Sequence, residues 1–235
     1  MFFDLNIKGS SLENNIVMAK QAFEYGWNHI NFSYNQKDFS HALTFKKDLK
    51  NSLEDITVDY TLEIKSNNVN EVKKTVNKFR NDASCIAVVG GDLKINRACC
   101  ENIRVDVLSR PYIKRFDSGL NHVLAKEALK NDVAIELCFN DVLKSYLTYR
   151  AKIISNFRDV IALYRKFDFP LILSSRAESI FDLRTTHDFI AFFKQCGLTS
   201  DEIEKSFLTS KNILELNENR DKLIFKGVRR VDDEA

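Results

Sequence analysis

The sequence predicts an α/β barrel of about seven parallel strands, each followed by a helix, closed around a polar lumen. Three observations carry that expectation. Strand-like and helix-like segments alternate as far as Gly197, which implies right-handed βαβ units. They do so within 235 residues, of which 44% are hydrophobic, enough for one sizeable core. Several strands also place a polar residue at every second position, whereas open parallel sheets buried on both faces read as unbroken apolar runs. A polar inner face alternating with an apolar outer one is the pattern of a barrel; an open doubly wound sheet is the alternative topology.

Each element follows from its local pattern. FFDLN (2–6) is the first strand, with Asp4 and Asn6 in alternation. Ser10 and Glu13 form a capping box for a helix that places Leu12, Ile16, Ala19 and Phe23 on one face and ends at Gly26. HINFS (29–33) is the second strand, carrying His29, Asn31 and Ser33, and one helix follows in FSHALTFKKDLKN. VDYTLEI (58–64) is the third strand, with Thr61 and Glu63, and Val69, Val72, Val76 and Phe79 line the next helix.

CIAVVGG (85–91) is a buried fourth strand ending in two glycines, and its helix bears Lys94 and Arg97. VDVLS (105–109) is the fifth and contributes Asp106. Its helix opens in DSGLNHVLAK (117–126), where Leu120, Val123, Leu124 and Ala128 form the buried stripe. His122 points almost opposite, with Lys126 one turn further along, and Glu127 falls oddly within the stripe. VAIELCF (133–139), with Glu136, is the sixth strand, and the longest helix runs from near Ser145 through Tyr164. PLILSS (170–175) is the seventh. Thr185 and Asp188 cap a helix with Phe189, Phe192, Phe193 and Cys196, which Gly197 ends. Thr199 and Glu202 then open a short helix, and another covers 210–219. The whole is expected to be one domain over 1–235, its last fifteen or so residues a tail that is flexible or ordered by a partner.

A net charge of +2 excludes a polycation, so any nucleic-acid contact has to rest on local patches. Five cysteines, an odd number without CxxC spacing, argue against a disulfide framework or a zinc knuckle. The N-terminus lacks the pattern of a signal peptide, and no apolar stretch has transmembrane length. The expectation is a soluble, reduced, cytoplasmic chain with no membrane partner.

Barrel sites lie at the C-terminal ends of the strands. Asp4, Glu63, Asp106 and Glu136 point inward and are the residues a divalent metal would use. His29, His41, His122 and His187 are scattered, however, without HxH or HExxH, so a carboxylate network tied to Asn and Ser is the favoured reading. Gly90–Gly91 reads as a tight turn as well as a phosphate cradle, and Cys99–Cys100 as packing. The sequence offers no convincing catalytic set. What stands out is clustering: Arg110, Lys114 and Arg115 interleave with Tyr112 and Phe116 on the loop that feeds His122 and Lys126. Lys94 and Arg97 lie one βα unit earlier. Basic residues interleaved with aromatics track phosphates and stack on bases.

The strings RVDVLSRPYIKRFDSGLNHVLAKEALKNDVAIEL and FDFPLILSSRAESIFDLRTTHDFIAF, with FFDLN at the start, resemble the thirty-kilodalton protein family of ribonuclease P, the archaeal component 3 group shared with eukaryotes. Order and spacing match from residue 2 to about residue 220. The resemblance implies an incomplete TIM-like barrel, similar to the polymerase-and-histidinol-phosphatase (PHP) hydrolases but lacking their metal histidines; DLN stands here where those have HxH. It implies a subunit of the ribonuclease P endoribonuclease, whose RNA removes the 5′ leader of precursor tRNA using Mg²⁺, with no active site or cofactor in this chain. Implied partners are ribonuclease P RNA, protein component 2 (in a heterodimer or heterotetramer), the other ribonuclease P proteins and precursor tRNA. Arg110, Lys114, Arg115, His122, Lys126, Arg176 and Arg184 fall on motif positions and join Lys94 and Arg97 as RNA or partner contacts. The family usually has Asp at position 121 and an apolar residue at 127. The competing reading is a metal-dependent PHP-type phosphoesterase using the barrel carboxylates.

Overall fold

A computed structural model describes residues 1–220 and the backbone of 223–225 and 228–229. Seven parallel strands form one sheet in sequence order: β1 (Phe3–Lys8), β2 (His29–Asn35), β3 (Thr57–Ile64), β4 (Cys85–Val89), β5 (Val107–Ser109), β6 (Ala134–Cys138) and β7 (Leu171–Ser174). The sheet curls into a nearly closed barrel. Its two edges meet where the Lys8 N–H donates to the Ala177 carbonyl (2.8 Å) and the Ser175 N–H donates to the Asp4 carboxylate (3.1 Å). The barrel expected from the sequence is the topology observed, with every crossover in its predicted order.

The outer wall consists of α1 (Leu12–Glu24), α2 (Phe39–Thr44), α3 (Lys46–Asn51), α4 (Val69–Phe79), α5 (Leu93–Cys100), α6 (His122–Asn131), α7 (Phe139–Leu143), α8 (Leu147–Phe167), α9 (Thr186–Cys196) and α10 (Ser200–Glu218). Two helix starts are capped as the sequence indicates: Thr185 accepts from the Asp188 N–H, and Thr199 with Glu202 forms a complete capping box. Several local expectations are corrected. The cap of α1 is Ser11 rather than Ser10. The single helix expected after β2 is two short ones broken at Phe45, and the two expected after Gly197 are one, α10. A short α7 follows β6 directly, so the longest helix begins at Leu147.

The apolar core lies between sheet and helices, with Trp27, Phe157, Phe189 and Phe193 fully buried. α10 closes the lower end of the barrel. It lies against β7 and β1 and reaches β4, where Asn217 donates to the Ser84 carbonyl (2.9 Å). All five cysteines are free and buried, as small buried hydrophobes. Among the described residues no helix is long and apolar enough to cross a membrane. The two short strands β8 (Leu223–Phe225) and β9 (Val228–Arg229) pair antiparallel; the expected flexible or partner-ordered tail otherwise lies outside the described residues.

Candidate nucleic-acid interface

The loops after β4 and β5 are built around one buried amide. Asn96 of α5 accepts the Gly91 N–H (3.0 Å) and donates to the carbonyls of Pro111 (3.1 Å) and Gly119 (2.8 Å). Gly91 and Gly119 both take positive φ, and a Cβ at Gly119 would stand 2.0 Å from the Pro111 carbonyl oxygen, so only glycine lets the loops close this tightly. A Cβ at Gly91 would meet Ile113, and one at Gly90 would meet Asn96 and Pro111. The Gly90–Gly91 pair is therefore a packed turn, with its space taken by protein.

That closure brings the predicted cations of α5, the β5 loop and α6 onto one side of the barrel, then divides them. Arg110, at φ 55°, turns inward against Asp141: its Nε reaches Oδ2 at 2.9 Å and its Nη2 reaches Oδ1 at 2.8 Å. Its side chain is only 12% exposed. Arg115 forks onto Asp117 (2.5 and 2.9 Å) and donates to the Gly91 carbonyl (3.2 Å), stapling the two loops. Arg176, at φ 52°, pairs with Glu178 (3.2 Å) and Glu63 (3.8 Å). Arg184 donates to the carbonyls of Phe181 and Leu183, both at 2.7 Å, with its guanidinium over the Phe139 ring. All four arginines thus have structural work inside the fold.

Lys94, Lys114 and Lys126 are exposed, without an ion-pair partner among the described residues, and His122 is exposed at the first position of α6. Arg97 is exposed and pairs with Glu101 one turn on, an interaction that water weakens. Lys94 and Arg97 line a groove of about 540 Å³ between α4 and α5, with Lys73 on its other wall. Two readings of this region are corrected. Tyr112 is buried: its hydroxyl donates to Asp141 (2.8 Å) and accepts the Cys138 N–H (3.1 Å), so of the two aromatics only Phe116, 92% exposed, is open to solvent. Val123 is also half exposed, and Ala125 takes its place in the buried face.

The two departures from the family pattern find their places here. Asn121 caps α6, its Oδ1 accepting the N–H groups of Val123 and Leu124, both at 3.0 Å; the asparagine oxygen does what an aspartate oxygen would. Glu127 sits at the helix edge, where Asn131 donates to its carboxylate (3.3 Å).

Inside the barrel each expected carboxylate has partners. Asp4 accepts the N–H groups of Asn6 and Ser175, both at 3.1 Å, and burial pushes its pKa up to about 6. Glu136 accepts from Asn6 (3.0 Å) and Ser174 (2.6 Å), and Ser33 donates to Asn6 (2.7 Å). Burial raises the Glu63 carboxyl, but Lys8 at 2.7 Å and Arg176 outweigh it and hold the pKa below the usual value. Asp106 is the exception to a common cluster. It precedes β5 at the lower end, bound by Arg80 (2.7 Å), the Ile86 N–H (2.6 Å) and Arg220 (3.5 Å). Lys8 was missed by the sequence reading, although it continues the Asp4–Asn6 alternation. A metal at the upper mouth of the barrel would need several open donors. Here Lys8 and Arg176 occupy it, and the described residues contain no group of three His, Cys, Asp or Glu in metal-binding reach, so the set does not fit a metal.

Three comparisons bear on identity. Residues 1–222 match the family model described as RNase P subunit p30. The chain is 41% identical over 231 residues to ribonuclease P protein component 3 of Methanothermobacter thermautotrophicus (strain Delta H), covering 97% of this chain and 94% of that protein. Among solved structures it matches a chain of archaeal ribonuclease P with mature tRNA, determined by cryo-EM, at TM-score 0.81 and 30% identity, covering 99% of both. It also matches histidinol phosphate phosphatase from Lactococcus lactis, complexed with zinc, L-histidinol and phosphate, at TM-score 0.56 and 10% identity, with 84% and 94% coverage; that likeness shows the barrel fold alone. The chain belongs to the RNase P subunit p30 family.

Proposed function

We propose that this p30-family chain supports the RNA component of ribonuclease P in removing the 5′ leader from precursor tRNA, contacting RNA through exposed cations and leaving the chemistry to the RNA and its Mg²⁺. As a family member the chain is a ribonuclease P protein subunit, a component of a holoenzyme that acts on tRNA. The observation that carries the finer reading is the division of the cations. Lys94, Lys114 and Lys126 have no carboxylate partner among the described residues and stand with Arg97 and His122 on one side of the barrel, the arrangement that neutralises phosphates by releasing counterions. The barrel mouth, where an enzyme of this architecture would hold its substrate, is filled by the Lys8–Glu63–Arg176 cluster.

The protein partner in this reading is component 2, and the compartment is the cytoplasm. Of the predicted contacts, Arg110, Arg115, Arg176 and Arg184 act by shaping the loops, and the lysines, Arg97 and His122 by touching RNA. The test is reconstitution of precursor-tRNA cleavage from ribonuclease P RNA and component 2, with this chain added or left out. Stimulation that requires the RNA supports the reading, and cleavage by this protein alone overturns it.

A further inference from the structure

Asn96 is fully buried on α5, yet its side chain holds segments outside its own helix. Its two amide hydrogens go to the carbonyls of Pro111 (3.1 Å) and Gly119 (2.8 Å), and its oxygen takes the Gly91 N–H (3.0 Å). A primary amide offers two donors and an acceptor from one side-chain end. Pro111 and Gly119 are the two ends of the loop that carries Lys114. Gly91 immediately precedes Asp92, whose carboxylate caps α5 by accepting the N–H groups of Lys94 (2.8 Å) and Ile95 (3.2 Å). Two residues after Gly119, Asn121 caps α6, the helix of Lys126. The far end of α6 is tied back as well, where Asn131 donates to the Cys100 carbonyl of α5 (2.9 Å). The three segments that bear the exposed cations therefore meet at one interior side chain.

The backbone of Lys114 shows how firmly the loop is held. It stands at φ 57°, a left-handed conformation that is strained for a residue with a side chain and persists only where the surroundings over-determine it. Here the chain is fixed on both sides: the Ile113 N–H donates to the Arg110 carbonyl (3.0 Å) and the Arg115 N–H to the Tyr112 carbonyl (3.2 Å). The lysine side chain is exposed and makes no ion pair among the described residues, so the loop sets its conformation. We propose that Asn96 is a positioning residue for RNA binding. It touches no RNA itself; it holds the loop of Lys114 and the first turns of α5 and α6 in a preformed arrangement, so that little remains to be ordered when RNA binds. The proposal rests on the RNA reading above and gives it an internal determinant. Without the Asn96 amide two interior carbonyls lose their donor, the ends of the Pro111–Gly119 loop part, and the RNA has to order Lys114 itself.

The experiment measures binding of ribonuclease P RNA to the full-length chain at one fixed salt concentration, in a double-mutant cycle of Asn96→Ala and Lys114→Ala. Asn96→Ala should weaken binding about tenfold, the cost of ordering one or two side chains on the RNA. Lys114→Ala should cost several-fold in the wild-type background and about twofold or less beside Asn96→Ala, because the position of the lysine is already lost. A purely structural role for Asn96 would leave the effect of Lys114→Ala the same in both backgrounds. Asn217→Ala, which removes the bond to the Ser84 carbonyl at the lower end of the barrel, controls for lost stability and should keep wild-type RNA affinity. Melting curves are recorded alongside. Should Asn96→Ala be unfolded at the assay temperature, hydrogen exchange of the wild-type chain decides the matter. The amides of Gly91, Ile113 and Arg115 should be protected before RNA is added and change little with it. Additive losses in the cycle, wild-type RNA affinity in a folded Asn96→Ala, or loop amides that exchange freely until RNA binds would each overturn the role of Asn96 and leave the RNA reading standing. If K94A/K114A/K126A binds RNA like the wild type, the RNA reading itself fails, and the positioning role with it.

Discussion

Arg110 and Asp141 meet as a planar fork, with nitrogen–oxygen distances of 2.9 and 2.8 Å, and Tyr112 adds its hydroxyl to the same carboxylate at 2.8 Å. This strand-end arginine, a sequence candidate for RNA or partner contact, is therefore a loop anchor. Arg110→Ala leaves Asp141 largely buried with one neutral donor, and breaking such a pair costs roughly 3 kcal/mol. The expected outcome is a clear drop in Tm with an unchanged slope of log K against log salt for RNA. A lowered slope in a normally stable variant would return Arg110 to the RNA interface.

Lys114 and Lys126 should behave in the opposite way. Each has no carboxylate partner among the described residues, so Lys114→Ala and Lys126→Ala are expected to leave Tm unchanged. Each should reduce the salt slope of RNA binding by about one phosphate contact, read by filter binding over a range of salt. Sequence preference should not move, because phosphate contacts carry no base information.

Asp4 makes stability pH-dependent. Its folded-state pKa, about 6 against an ordinary 3.8, is raised, so its contribution is fully present below about pH 4 and is lost as pH rises through about 6. The difference corresponds to an order of 3 kcal/mol. Asp4→Asn forfeits an acceptor but does not titrate. Its stability relative to wild type should therefore improve between pH 4.5 and pH 7 in denaturant melts, and a constant difference across that window would contradict the assignment.

Asn121 tests the cap. Asn121→Ala should cost about 1 kcal/mol, since two α6 N–H groups lose their acceptor. Asn121→Asp, the residue the family usually carries, should be neutral or slightly stabilising through the helix dipole. Thermal melts of the two variants side by side decide it.

The barrel carboxylates should bind no catalytic metal. Zn²⁺ or Mn²⁺ added to the purified chain is expected to leave Tm unchanged and to produce no phosphodiester hydrolysis, because Lys8, Arg176, Asn6 and Ser174 already engage Glu63 and Glu136. A metal-dependent rise in Tm that Glu136→Gln abolishes would revive the phosphoesterase reading.

The strand order was legible because period-two alternation survives in every long strand, and Asp4, Asn6, Asn31, Ser33 and Thr61 are indeed buried in the lumen. Helix faces were less so. Phe23 was expected inward on α1 but is 44% exposed, while Asn15 is buried with its side chain on the Tyr34 hydroxyl; an apolar count cannot see a buried amide that has found its partner. α10 reads in the sequence as two helices, and Ser206 and Ser210 lie on its buried side. Their hydroxyls bond back to the carbonyls of Ile203 and Ser206, and the helix runs on. In the site, clustering of cations was visible in the chain, but which were free was not. Arg176 has Glu178 close by in the chain, but Asp141 beside Arg110 and Glu63 beside Arg176 come from other βα units, and only the closed barrel sets them there.

The most direct test is the Mg²⁺ dependence of precursor-tRNA cleavage by ribonuclease P RNA with component 2. It is measured without this chain, with the wild type, and with the K94A/R97A/K114A/K126A variant. The account predicts that the wild type raises the rate or lowers the Mg²⁺ required, always with RNA present, and that the folded variant loses most of that effect. Cleavage that persists without RNA, or that is indifferent to the protein, would contradict it.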